Sequence, residues 1–90
     1  MYHYVYMLRS FKNGKIKTYV GYTINLKKRL KAHNSGKGAK STRGRIWNII
    51  FKRRFLNKSA ALKAEYLIKN NNLIRNKIKK TQNFNGSLCI

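Results

Sequence analysis

Two runs rich in aromatic and β-branched residues, YHYVYMLR (2–9) and KIKTYVGYT (15–23), flank the dipeptide Asn13-Gly14. Asn-Gly readily places two successive residues at positive φ, as a type I′ turn requires, and that turn matches the twist of a β-hairpin. A two-residue turn also fixes register. With Asn13 and Gly14 at its centre, Lys12 faces Lys15, Leu8 faces Tyr19 and Tyr6 faces Gly21. Tyr4, Tyr6 and Leu8 then share a face with Tyr19 and Gly21. Tyr6 and Tyr19 become diagonal neighbours, roughly 7 Å apart at the backbone. Gly21 leaves a gap above the sheet where a ligand or another backbone can approach. Tyrosine suits strands, so core filling is the plainer role for either ring. The gap beside both hydroxyls argues for a chemical one.

Beyond the hairpin, INLKKRLKAHN (24–34) reads as a helix capped by Thr23 or Asn25 and closed by Ser35-Gly36. SGKGAKSTRGR (35–45) is a glycine-rich basic loop, and IWNIIFKRRF (46–55) is a third strand. AALKAEYLIK, starting after Ser59, is helical, and NNNLIRNKIKK (70–80) is a further helix after a break near Asn70 to Asn72. TQNFNGSLCI loses the basic charge and is expected to be a loosely ordered tail over 81–90. The order β-β-α-β-α-α over 1–80 predicts an α+β domain. It would hold a small, three-stranded, antiparallel sheet flanked by about three helices.

Lys and Arg number 22 against a single acid, Glu65, for a net charge of +21. Such a chain repels itself and is suited to a polyanion whose phosphates neutralise it, so nucleic acid is the expected partner. The missing acids also exclude chemistry: Ser-His-Asp triads, paired-carboxylate glycosidases, aspartic dyads and carboxylate-rich two-metal nucleases have no residues to use. Cysteine-rich zinc sites are excluded too, and the lone Cys89 cannot form a disulfide within the chain. A reducing cytoplasm is the expected compartment. MYHYVYML reads as a strand rather than a secretion leader, and no apolar run approaches the roughly 20 residues of a membrane span.

At 3.6 residues per turn, Leu26, Arg29, Leu30 and His33 fall on one helical stripe. An arginine on the core-facing side is costly unless it meets an anion; a snorkelling Arg and a hydrogen-bonded core His are the plainer roles. Ala61, Ala64, Glu65 and Ile68 form a similar stripe, and the small residues permit close approach to the sheet. An exposed ion pair with Lys69 is the ordinary role for Glu65. Its place on the stripe, and its survival where all other acids are gone, argue for more.

YVYMLRS, TYVGYT, INLKKRLKAHNSGKGAKSTRGR and AEYLIK, in that order, resemble the GIY-YIG nuclease domain, most closely its small single-domain members. The resemblance covers residues 4 to about 70 and implies a three-stranded antiparallel sheet with helices around it. By that likeness Tyr6 and Tyr19 match the tyrosines of the first and second motifs, and Gly21 the second motif's glycine. Arg29 matches the helix arginine, His33 the polar residue one turn later, and Glu65 the metal-binding glutamate. Tyr4 replaces the first motif's glycine, and Val5 and Val20 replace isoleucines.

The reading that follows is metal-dependent endonuclease activity, on DNA in preference to RNA, in DNA repair, recombination or processing. Mg²⁺, or Mn²⁺ in its place, accepts one carboxylate if waters and substrate phosphate complete its shell. Glu65 would hold it, Tyr6 would take a proton from the attacking water, and Arg29 would neutralise the phosphoryl oxygens. Tyr19 would orient water or phosphate, and His33 would tune Tyr6 or bind phosphate. A phenol is a poor base at neutral pH, so Arg29, the basic loop and the metal are expected to favour phenolate. Lys37, Lys40, Arg43 and Arg45 are expected to contact the nucleic-acid backbone, and Trp47 to belong to the core. The alternative is a non-catalytic basic DNA- or RNA-binding adaptor that retains a nuclease fold; Glu65 speaks against it. A membrane-surface role explains the charge but not the paired tyrosines. A protein partner that confers specificity is compatible with all of this.

Overall fold

The computed structural model describes residues 1–85 and 88–89, with side chains through Ile78. Strands β1 (His3–Lys12) and β2 (Lys15–Thr23) form the hairpin, followed by helix α1 (Leu26–Asn34). A short 3-10 turn (Lys40–Thr42) leads to β3 (Asn48–Phe55), then to α2 (Lys58–Lys69) and α3 (Asn72–Asn85). Asn13 and Gly14 adopt φ of 53° and 76°, the two positive values of a type I′ turn. The resulting register pairs Lys12 with Lys15, Leu8 with Tyr19 and Tyr6 with Gly21, as the turn dictates.

β1 is central, with antiparallel β2 on one side and antiparallel β3 on the other. The three antiparallel strands and three helices are the expected α+β arrangement. A two-residue strand, β4 (Leu88–Cys89), adds a parallel pairing to the far edge of β3. The tail expected over 81–90 falls on residues whose side chains, and in part whose backbone, lie outside the described set. In the described backbone, α3 continues past the expected boundary to Asn85.

The two faces of the sheet carry separate apolar clusters. Val5, Met7, Val20, Ile50 and Phe51 pack against Ala61 and Ile68 of α2 and Ile78 of α3. Tyr6, Leu8 and Trp47 pack with Leu26 and Leu30 of α1 on the opposite face. A β-bulge serves both clusters. Met7 pairs with Phe51 but Leu8 with Ile49, so Ile50 is the extra residue. The bulge breaks strict alternation and sends both Ile50 and Phe51 to the α2 side. Each such fully buried side chain contributes about 1.5–3 kcal/mol over its exposed state.

Local chemistry fixes the helix ends. Asn25, one of the two expected caps, accepts the Lys28 amide through its side chain at 3.0 Å. At the other end Gly36 sits at φ 79°. The Lys37 amide donates to the Ala32 carbonyl at 2.8 Å and the Gly36 amide to the His33 carbonyl at 3.3 Å, a Schellman closure. Asn57 and Asn71 cap α2 and α3 by the same side-chain device. No described helix is long and apolar enough to cross a membrane.

Candidate active site

The register that places Gly21 opposite Tyr6 also creates the site. A Cβ on Gly21 would lie 2.5 Å from the Tyr6 hydroxyl oxygen and 3.0 Å from Cε2 of Tyr19. The Tyr6 phenol therefore lies directly over the glycine backbone, and no other residue type leaves it that space. Tyr6 and Tyr19 rings lie 6.3 Å apart between centroids, and His33 lies 4.9 Å from Tyr19 and 6.0 Å from Tyr6. Arg29, one turn before His33 on the same helical stripe, lies beside both phenols and is coupled to them electrostatically.

His33 is fully buried, and both its nitrogens are engaged: Nε2 lies 2.9 Å from the Tyr6 hydroxyl and Nδ1 lies 2.9 Å from Oγ1 of Thr42. These contacts specify the tautomer. The Thr42 hydroxyl has one proton and donates it to the Ala39 carbonyl at 2.9 Å, so toward His33 it can only accept. In the arrangement that satisfies all three contacts at once, Nδ1 carries the imidazole proton, Nε2 is the acceptor, and Tyr6 donates to it. The Tyr6 oxygen is left with its lone pairs for Arg29 and for whatever binds in front of it.

The loop after α1 holds this arrangement. A Cβ on Gly38 would lie 2.4 Å from Nδ1 of His33, so the loop can lie against the imidazole only because this residue is glycine. Indole Nε1 of buried Trp47 donates to the Thr42 carbonyl at 2.8 Å. The Asn34 side chain clamps the Trp47 backbone from both sides, accepting its amide at 2.6 Å and donating to its carbonyl at 3.2 Å. Thr42, Gly38 and Asn34 were not singled out from sequence. GKGAKST reads as a mobile basic loop until its fold back onto His33 is seen.

The electrostatics correct one expectation. Burial pushes the Tyr6 phenol above its ordinary range, and the charges of Tyr19 and Glu65 add to the rise. The Arg29 hydrogen bond and charge oppose it without overcoming it. Free phenolate is therefore not the resting form in the protein alone, contrary to the expectation from the basic surroundings: desolvation outweighs the neighbouring cation. Burial, helped by the charge of Arg29, lowers the His33 pKa below its ordinary value, which keeps the imidazole neutral and able to accept. Arg29 is itself raised, chiefly by its hydrogen bond to Tyr6.

Glu65 has a side chain only 19% exposed, and its Oε2 lies 3.5 Å from Nζ of Lys69. Glu65 thus makes the ordinary i,i+4 pair while its side chain is largely buried, and its field reaches Tyr6. Among the described residues no three His, Cys, Asp or Glu side chains cluster as a metal cage. One carboxylate fits an ion that keeps water and takes the rest of its shell from substrate phosphate.

Of the four loop cations, Lys37, Lys40 and Arg43 are exposed. Arg45 is instead half-buried and acts as a strut, donating from Nε to the Ser10 hydroxyl at 3.1 Å and from Nη2 to the Lys15 carbonyl at 3.2 Å. Lys12 reaches the Gly44 carbonyl at 2.6 Å from the hairpin side.

The family model for the GIY-YIG catalytic domain matches residues 2–83. The chain belongs to the GIY-YIG family. Membership carries the nuclease fold and, for the family in general, nucleic acid as partner. Among relatives, the UPF0213 protein OB0043 of Oceanobacillus iheyensis is 48% identical over 68 residues, 74% of this chain and 76% of the relative. The UPF0213 protein CPE1444 of Clostridium perfringens is 47% identical over 68 residues, 74% of this chain and 70% of the relative. A solution NMR structure of the UPF0213 protein BH0048 from Bacillus halodurans is 39% identical, covering 96% of this chain and 87% of that one, with a TM-score of 0.49. In this GIY-YIG domain the tyrosines of the two family motifs and the α1 residues Arg29 and His33 meet over one glycine.

Proposed function

We propose that this GIY-YIG protein is an endonuclease that hydrolyses phosphodiester bonds, acting on DNA in preference to RNA and with a divalent ion, Mg²⁺ or Mn²⁺, held by Glu65. One observation carries the reading: the Tyr6 hydroxyl donates to a neutral Nε2 whose tautomer Thr42 fixes, while Arg29 stands at the same oxygen. A water in front of Tyr6 donates its hydrogen bond to the phenol oxygen. As the water oxygen bonds to phosphorus, its proton passes to Tyr6 and the Tyr6 proton passes to Nε2 of His33. The P–O3′ bond breaks, and the leaving oxygen takes a proton from solvent, giving 5′-phosphate and 3′-hydroxyl ends. A raised Tyr6 pKa does not impede this relay, because phenolate never has to accumulate.

Arg29 binds the non-bridging phosphoryl oxygens, where negative charge grows. Tyr19 orients the water or the phosphate beside Tyr6. A divalent ion at Glu65, with waters and substrate phosphate completing its shell, would stabilise the charge on the leaving oxygen. DNA repair, recombination or processing, in the cytoplasm, is the setting that suits such an activity.

The test incubates wild type, Tyr6→Phe, Arg29→Lys and Glu65→Gln with end-labelled single-stranded, duplex, flap and branched DNA, with and without Mg²⁺. Metal-dependent cutting by the wild type alone, leaving 5′-phosphate ends, is the expected result. Binding by all four proteins with cutting by none would replace the nuclease with a basic adaptor.

A further inference from the structure

A cleft of about 460 Å³ opens beside the site, lined by Tyr4, Asn25, Leu26, Lys27, Lys52 and Arg54. Its place follows from strand pairing. Lys52 is the β3 partner of Tyr6, and Arg54 is the partner of Tyr4. Directly opposed residues share a face, so both cations project on the Tyr6 side, with Lys27 of α1 across from them. From Tyr6 the row runs outward to Tyr4 and Arg54, one same-face step of about 6.6 Å along the strands.

Among the described residues no acidic side chain neutralises these three charges. The only acid, Glu65, is not in the cleft and pairs with Lys69. Lys52 is half-buried, and its side chain makes no hydrogen bond or ion pair among the described residues. A partly desolvated cation without a counter-charge favours an incoming anion.

The outer end of the cleft is aromatic. The Arg54 guanidinium lies 4.3 Å from the centroid of Tyr2, and Tyr2 meets Tyr4 edge to face at 6.5 Å between centroids. Tyr2 is 42% exposed. A guanidinium already stacked on a ring keeps its other face for a nucleobase, and an exposed phenol offers a second π surface. Cations at strand spacing that lead to such a platform suit unpaired nucleotides. In a duplex the bases are already stacked and unavailable to it.

We infer that the Lys27–Lys52–Arg54 cleft and the Tyr2–Arg54 platform bind a single strand adjoining the bond held at Tyr6, so that the preferred substrate has an unpaired segment on that side. Lys52 and Lys27 take the phosphate next to the one at Arg29, Arg54 takes the one beyond it, and a base stacks on Arg54 or Tyr2. The assignment rests on the nuclease reading for its orientation toward Tyr6, but its test reads binding.

Fluorescence anisotropy with a labelled oligothymidine and with a duplex of equal length, across salt concentrations, compares wild type, Lys52→Gln, Arg54→Gln and Tyr2→Leu. Lys52→Gln and Arg54→Gln should each flatten the slope of log affinity against log salt for the single strand by about 0.7. Tyr2→Leu, an exposed substitution that spares the core, should weaken single-strand binding about fivefold or more and leave duplex binding unchanged. Unchanged single-strand affinity and slope in the cleft variants would overturn the assignment, as would equal losses on duplex. If no protein cuts DNA yet the cleft variants lose single-strand binding, the cleft stands and the nuclease reading falls. Cutting by the wild type with cleft variants that bind normally gives the reverse.

Discussion

Gly21→Ala tests whether the Tyr6 hydroxyl must occupy the position the structure gives it. The new methyl would lie 2.5 Å from the hydroxyl oxygen and 2.6 Å from Cζ of Tyr6, about 1 Å short of ordinary contact. Tyr6 has little room to retreat: it is 1% exposed, packed with Leu8 and Trp47, and bonded through its hydroxyl to His33. Ring and strand must therefore part by something near 1 Å. Overpacking of that kind costs about 1–3 kcal/mol. Replacing a strand glycine by alanine returns about 0.5–1 kcal/mol of backbone entropy. The net loss is on the order of 1 kcal/mol, which in a domain of this size lowers Tm by roughly 4–8 °C. The effect on rate should be larger, because displacing a reacting group by about 1 Å costs on the order of a hundredfold. A melting curve and a single-turnover cutting assay on the same preparation measure both. A variant that cuts at the wild-type rate with an unchanged or raised Tm would refute the reasoning, since Tyr6 would then tolerate displacement or not lie over the glycine.

Four further outcomes are expected. Thr42→Val removes the acceptor for Nδ1–H of buried His33, which should cost about 1–3 kcal/mol in chemical denaturation and slow cutting; Thr42→Ser, which keeps the hydroxyl, should recover most of both. The folded-state pKa of His33 lies below its unfolded value, so its contribution to stability is complete above about pH 6.5 and is lost as pH falls toward the folded value. Cutting should fade over the lower part of that window as Nε2 gains a proton; unchanged cutting in acid would count against His33 as acceptor. Tyr6 has the opposite sign: its contribution is intact below about pH 10 and is lost as pH rises through the raised folded value. Tyr6→Phe should therefore show a shallower alkaline decline in Tm than the wild type. Glu65→Gln should change stability by no more than about 0.5 kcal/mol, because its partner Lys69 is half exposed, while abolishing metal-stimulated cutting.

The parts of the fold that were legible in the sequence rest on local chemistry. Asn13-Gly14 dictates a turn type, the turn dictates register, and register brings Tyr6, Tyr19 and Gly21 together without knowledge of the remaining strands. Helical periodicity likewise places Arg29 and His33 on one side of α1. The loop from Lys37 to Trp47 was opaque because its organising contacts are long-range and specific: a hydroxyl on Nδ1, an indole on a carbonyl, an amide clamp across thirteen residues. Nothing in GKGAKST distinguishes a glycine that admits an imidazole from one that merely bends the chain. Lys52 and Arg54 were hidden for another reason. The run Ile49-Ile50-Phe51 does not alternate, since the bulge at Ile50 sends two neighbours to one face, so the phase of the following cations cannot be counted through it. The direction of the phenol's pKa shift is not legible in the sequence, which reveals the neighbouring cation but not the depth of burial, and burial is the larger effect.

The scarcity of acids has a consequence inside the site as well as over the surface. In most proteins a half-buried arginine meets a carboxylate; here Arg29 stands beside two phenols. A phenol accepts a hydrogen bond but does not cancel charge, so the positive field of Arg29 is undiminished at the point where a phosphate must bind. That same field lowers the His33 pKa and restrains the rise at Tyr6, keeping the acceptor neutral and the donor less reluctant. A carboxylate in place of either phenol would pair with Arg29, repel the substrate and raise the His33 pKa, undoing all three effects together. The one acid that is retained sits on α2, on the other layer of the fold, tied to Lys69 and felt only weakly at Tyr6, where it is the last of the contributions to the phenol's shift. Exclusion of acids from the site and retention of Glu65 beside it are thus two sides of one electrostatic requirement: the anion that completes the site has to be the substrate.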